Sequence, residues 1–158
     1  MEQIYHHELE FKVRDYECDL QGIVNNSVYM NYLEHARHEL CRSVGLRFEQ
    51  LVDMGIYTVV ARADLTYKTS LKSCDMFVVK TRVELSGLKY IFYQDIYRLP
   101  DNKLCLKGIT ITVSIINGKL ALSDILVEAI AKIRGQKSEV RNQRSEIRGE
   151  RREARGER

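Results

Sequence analysis

The sequence predicts an α+β fold, with one long helix laid against one face of a curled antiparallel sheet. Three observations carry this. Tyr29, Leu33, Ala36, Leu40 and Val44 recur at steps of four and three, the apolar stripe of an amphipathic helix. From Ile56 to Ile116 the hydrophobic period changes to two, the period of strands. The alternating stretches run to about 10–13 residues, where strands usually have 5–6, so the strands are long enough to curve.

In chain order, residues 4–14 alternate loosely and end in Phe11 and Val13, which predicts a first strand. Residues 15–24 have no period and contain Gly22, which predicts a loop. Asn25, Asn26 and Ser27 are each suited to cap the long helix, and Gly45 is suited to close it. Its polar side carries Glu34, His35, Arg37, His38 and Glu39, read as a solvated face. A short helix is expected at 48–54, closed by Gly55. Strands follow at 56–68, 76–84, 90–99 and 104–116. The first places Ala61, Ala63, Leu65 and Tyr67 on one face. The second alternates Phe77, Val79, Thr81 and Val83 against Lys80, Arg82 and Glu84. A turn-rich link at 100–103 joins the last two. In the last strand Cys105, Ile109, Ile111, Val113 and Ile115 share a face, with Lys107 the misfit. Ser123 can cap a final helix to Ile133, with Ile125, Leu126, Ala129 and Ile130 as its apolar positions.

At 158 residues and 18.4 kDa the chain predicts one domain, large enough to bury a core without disulfide or metal. The expected domain is 1–134. Residues 135–158 form a basic tail of three seven-residue repeats, 138–144, 145–151 and 152–158. Each repeat offers one small apolar position, where a coiled-coil seam needs two, so a solvated, disordered tail is expected. Eight Lys and Arg and five Glu lie in it, leaving 17 of each sign in the domain. A nucleic-acid surface is therefore not expected of the domain. No apolar run is long enough for a membrane span, and no signal peptide is visible at the start, which predicts a cytoplasmic protein. The four cysteines have no metal-site or disulfide spacing and are expected to be reduced, in or near the core. No cofactor and no metal site are expected.

The loop before the long helix is where chemistry can live. A helix N-terminus presents unpaired N–H groups and a partial positive charge, which can hold the oxygen of a polarised carbonyl. Asp19 lies a few residues upstream, and Gly22 allows the turn that brings the two together. A carboxylate so placed can attack the carbonyl or activate water against it.

The run from Asp19 through Gly22, Val24, Asn25, Asn26, Tyr29 and Glu34 to Ala36 and Arg37 resembles the D-x-x-G-x-V-(N/Y)-(N/H)-x-x-Y…(E/D)-x-A-R signature of hot-dog thioesterases. These are the 4-hydroxybenzoyl-CoA thioesterase and YbgC-like family. The chain is also similar to the plant plastid acyl-carrier-protein thioesterases of that fold. The likeness covers roughly residues 5–133. It implies a hot-dog fold, in which a curved antiparallel sheet wraps a long central helix. It implies an acyl-CoA or acyl-carrier-protein thioester as substrate, and a homodimer or homotetramer with the active site between subunits. Asp19 matches the catalytic aspartate, acting as nucleophile or general base. Asn26 matches the residue whose backbone N–H polarises the carbonyl. Gly22, Asn25 and Tyr29 match substrate-binding positions.

Some relatives carry His where Ile23 or Asn26 stands; this chain has neither. A tyrosine found four residues before the aspartate in some relatives is Asp15 here, a carboxylate that could alter Asp19. Lys68, Lys72 and Lys89 are candidates to meet CoA phosphates. Glu34 and the pairs His6–His7 and His35–His38 read as ordinary surface or strand groups. Two other functions fit the same fold. One is a non-catalytic acyl-CoA-binding or interaction protein. The other is an acyl-thioester dehydratase, which needs a site histidine that this loop does not offer.

Overall fold

A computed structural model describes residues 3–135. The order is β1 (His7–Lys12), a 3₁₀ turn (Asp15–Glu17), α1 (Val28–Arg42), α2 (Phe48–Asp53), β2 (Ile56–Tyr67), β3 (Met76–Ser86), β4 (Lys89–Leu99), β5 (Lys103–Ile116) and β6 (Lys119–Leu120). Residues 124–135 are helical. All strands pair antiparallel in one sheet of order β1-β3-β4-β5-β2, with β6 beside β5. The first strand, predicted over 4–14, spans only His7–Lys12. The repeat tail lies outside the described residues apart from Gly135.

Period two builds β3: Phe77, Val79, Thr81 and Val83 are buried, while Lys80, Arg82 and Glu84 are half-exposed. In β5 the alternation holds but the apolar face is the outward one. The face turned to α1 carries Leu106, Gly108, Thr110, Thr112 and Ser114, all buried. Ile109, Ile111, Val113 and Ile115 are partly or largely exposed, and Cys105 alone of the expected set is buried. A helix can lie close to β5 only where the strand is narrow, and Gly108 supplies this. A Cβ there would stand 2.9 Å from Leu33 Cδ1.

The apolar stripe seats α1, with Tyr29, Leu33, Ala36 and Leu40 buried. Gly45, at φ +82°, ends the segment in a Schellman motif. The Leu46 N–H reaches the Cys41 carbonyl at 3.0 Å, and the Gly45 N–H reaches Arg42 at 3.0 Å. Ser27 occupies the N-cap position but its side chain caps nothing. Asn25 does the local work instead: its Oδ1 accepts from the Ser27 N–H at 2.9 Å and from Ser27 Oγ at 2.7 Å.

The polar side of α1 is not uniformly solvated. Arg37 is only 6% exposed, because it points under the helix into the sheet. It donates through Nη1 to Gln94 Oε1 at 3.1 Å and to Thr110 Oγ1 at 3.4 Å. Gln94 Nε2 in turn donates to the Leu33 carbonyl at 3.0 Å and to Thr81 Oγ1 at 3.2 Å. This buried polar belt separates two apolar cores. One joins the first half of α1 to Phe77, Val79, Ile96 and Leu106. The other joins its second half to Leu51, Val83, Tyr90 and the 124–135 helix, through Leu126, Ala129, Ile130 and Ile133. The Leu126 N–H bonds Ser123 Oγ at 3.4 Å, as the sequence predicts for the cap. Cys41 and Cys105 are buried, Cys18 is half-buried, and Cys74, expected in or near the core, is exposed.

Two predictions follow from this packing. Gly108→Ala pushes a methyl into Leu33 and is expected to lower stability by about 1–3 kcal/mol, the usual cost of overpacking. Urea unfolding should show a lower midpoint at an unchanged slope. The second concerns pH. His38 packs against Phe48 with ring centroids 4.6 Å apart and the planes tilted by 43°. Burial lowers its pKa, and burial likewise lowers that of His7. In the unfolded chain both take up a proton near the ordinary value of 6.5, while in the folded chain they resist it. The unfolded state then binds more protons, so stability falls as pH drops below 6.5. A thermal midpoint that declines from pH 7 to pH 5, and declines less in His38→Gln, checks this.

Candidate active site

The segment ahead of α1 is folded onto itself by backbone bonds. The Arg14 N–H donates to Glu17 Oε1 at 2.7 Å, and the Asn25 N–H donates to the Glu17 carbonyl at 2.9 Å. Cys18 and Val24 form an antiparallel bridge. Between them Asp19 opens a tight turn. The Gly22 N–H reaches the Asp19 carbonyl at 3.0 Å, and the Asp19 N–H reaches Ile23 at 2.8 Å. Gly22 sits at φ +78°, a conformation glycine adopts at little cost. The Asp19 side chain is held by its own turn: Oδ1 accepts from the Gln21 N–H at 2.8 Å. Oδ2 makes no hydrogen bond among the described residues.

The turn is pinned to the segment after β2. The Val24 N–H donates to the Leu71 carbonyl at 2.9 Å, and Ile23 bridges Lys72. On the other side the Tyr67 hydroxyl donates to the Asn26 carbonyl at 2.9 Å. Tyr29 is buried edge-on to Tyr67, with centroids 5.5 Å apart, and its hydroxyl accepts from the Leu71 N–H at 3.3 Å. Burial raises the Tyr29 pKa, so the phenol stays protonated. The result is an open cleft of about 350 Å³, lined by Asp19, Asn26, Tyr29, Tyr67 and Lys68 among others.

The helix end faces this cleft with its charge uncancelled. No acidic side chain occupies the first turn of α1. The Asn26 N–H donates to no backbone group among the described residues. An anionic oxygen and an electropositive helix end therefore border one space, an arrangement able to attack a carbonyl and hold its oxygen.

Of the residues singled out from sequence, Asp19, Asn26 and Tyr29 line the cleft. Gly22 and Asn25 do not line it; they shape the turn and the helix start. Lys68 lines it, whereas Lys72 and Lys89 do not. Asp15 is engaged by Ser73 rather than by Asp19. The carboxylates of Asp15, Glu17 and Asp19 answer to separate donors, Ser73, the Arg14 N–H and the Gln21 N–H, and no metal-holding group occurs among the described residues. Tyr67, Thr69 and Ser70 line the cleft without having been picked out from sequence. Their only signal was their place at the end of a strand.

Residues 13–142 match the model of the thioesterase-like superfamily. The chain belongs to this family. It is 38% identical over 108 residues to the chloroplastic acyl-acyl carrier protein thioesterase ATL3 of Arabidopsis thaliana, over 66% of this chain and 57% of that one. It is 30% identical over 115 residues to the acyl-CoA thioesterase YbgC of Haemophilus influenzae, over 70% of this chain and 82% of that one. A crystal structure of a hypothetical protein from Aquifex aeolicus matches with TM-score 0.74 and 31% identity, over 78% of this chain and 98% of that one. The chain thus spans little more than half the length of the plant relative. The antiparallel sheet with few helices is the hot-dog architecture that the thioesterase signature implies.

Proposed function

We propose that this member of the thioesterase-like superfamily hydrolyses an acyl-CoA thioester to a free acid and CoA thiol. The observation that carries the reading is the shared cleft of the Asp19 carboxylate and the Asn26 helix end. Asn26 N–H donates to the thioester carbonyl oxygen and stabilises the negative charge that grows there on attack. Asp19, held through Oδ1, offers Oδ2 for one of two roles. As nucleophile it bonds the acyl carbon, the C–S bond breaks, and water then cleaves the resulting anhydride. As general base it takes a proton from water, whose oxygen attacks the carbon directly. In both cases the sulfur leaves as thiolate and takes up a proton. Lys68, at the cleft wall, can meet a CoA phosphate.

The second reading is an acyl-carrier-protein thioester, supported by the name of the 38%-identical plant relative. A dehydratase is disfavoured because no histidine lines the cleft. We also place the working cleft between two copies of this chain. The edge strand β2 exposes Tyr57, Val59 and Val60, and the cleft ends at the same strand, at Tyr67. Within the chain, 1–134 is taken as the catalytic domain and the repeat tail as an appendage.

Three measurements test this. Asp19→Asn is expected to reduce thiol release from acyl-CoA esters at least a hundredfold at an unchanged melting temperature. Retained release removes Asp19 from the mechanism, and tight CoA-ester binding without release by the parent protein favours a binding role. A single turnover in ¹⁸O water tests the nucleophilic role: label on Asp19 means that water opened an anhydride at the Asp19 carboxyl carbon, whereas label in the acid alone fits a general base or water attack at the acyl carbon of the anhydride. Light scattering should report a multiple of the 18.4 kDa protomer.

A further inference from the structure

A second cavity lies under the other half of α1. It shares no lining residue with the Asp19 cleft. Its walls include Cys41, Phe92, Leu126, Ile130 and Ile133, and Arg37 reaches into it from α1. Its volume is about 90 Å³, several times the ~10–15 Å³ that holds one water.

Arg37 is the feature that asks for a ligand. A guanidinium has five N–H donors and stays protonated in proteins. Arg37 is 6% exposed, yet only Nη1 has acceptors, and both are neutral oxygens, on Gln94 and Thr110. Nε and Nη2 make no hydrogen bond, and Arg37 forms no ion pair, among the described residues. The Phe92 ring, 5.9 Å from Cζ, gives a weak substitute. The nearest counter-charge is the exposed Glu34 on the same wall, which forms no ion pair with it, so the buried guanidinium keeps open donors.

The other polar groups of the cavity narrow the choice. Thr112 Oγ1 is committed to the Tyr90 carbonyl, and the Tyr90 hydroxyl to Ser114. Burial keeps His38 neutral near pH 7. Glu34 stands at the wall as an exposed carboxylate, which repels a multiply charged phosphate ligand. One cation with open donors among largely apolar walls suits one negative charge on an apolar body.

We propose that this cavity binds a straight-chain monocarboxylate, with the carboxylate on Nε and Nη2 of Arg37 and the chain against the 124–135 helix. Arginine and carboxylate pair through two parallel hydrogen bonds, and the open edge of Arg37 offers that fork. Such a ligand belongs to the class of acid that thioester hydrolysis releases. Within one chain the site shares no lining residue with the Asp19 cleft, while Val59 and Val60 of its wall belong to the β2 edge where we place the seam between copies.

The test uses the full chain and three probes: octanoate, 1-octanol with the same body and no charge, and acetate with the charge and no body. Calorimetry is expected to show octanoate binding once per chain, at least tenfold more tightly than either control. Arg37→Met should weaken it at least tenfold, and Ala129→Leu, which fills the cavity and keeps the cation, should do the same. Asp19→Asn should leave it unchanged. In the parent protein the Arg37 Nε–H resonance should shift with octanoate and not with octanol, a readout that needs no variant to fold. Equal binding of octanol, a silent Arg37 resonance, or loss of binding in Asp19→Asn overturns the assignment, the last by placing octanoate in the Asp19 cleft. None of these outcomes depends on whether the protein cleaves thioesters.

Discussion

The close approach of α1 to β5 at Gly108 is the constraint on which the rest of the structure depends. Leu33 occupies the space that any other side chain at 108 would need. Gln94 fixes the same point from the sheet by bonding the Leu33 carbonyl. A helix clamped at its middle has both ends determined. Its N-terminal end is presented to the end of β2 and the segment after it, where Tyr67 and Leu71 hold Asn26 and Tyr29. Its C-terminal half stands over the second core, where the 124–135 helix closes the space.

The same clamp explains why polar side chains occupy the middle of a sheet face that packs on a helix. Thr81, Gln94, Thr110 and Arg37 form a connected belt in which each is the partner of another. Buried polar groups are tolerated when bonded, and such networks specify one register over others. Arg37 is the member whose bonding capacity the belt does not exhaust, and it is the one that borders the second cavity. The Asp19 turn shows the opposite economy. Backbone bonds from Gln21, Gly22, Ile23 and Val24 hold one carboxylate in place and leave one of its oxygens open.

Much of this was legible in the sequence. The spacing of Tyr29, Leu33, Ala36 and Leu40 set the helix face, Gly45 its end, and Phe77, Val79, Thr81 and Val83 the buried side of β3. The Asp19–Gly22 turn was legible because glycine is the residue such a backbone favours. Three features were not. Alternation in β5 shows that two faces exist, not which one is inside, and Ile109 to Ile115 made the outward face look like core. Arg37 sat among charged neighbours on the helix and carried no mark of burial; Gln94 and Thr110, its partners, are more than fifty residues away in sequence. Tyr67, Thr69 and Ser70 reach the cleft only through the pairing of β2 with β5 and the pinning of the turn to Leu71. Local patterns report local structure, and these three depend on contacts between distant segments.

The central claim is that a thioester lies between the Asp19 carboxylate and the Asn26 N–H. The most direct measurement is a crystal structure with an acyl-CoA ketone in which CH₂ replaces the sulfur, so that the carbonyl is kept and cannot be cleaved. The account predicts the ketone oxygen at about 3 Å from the Asn26 nitrogen, with Asp19 facing the carbonyl carbon. A ketone bound with its carbonyl away from both groups contradicts it.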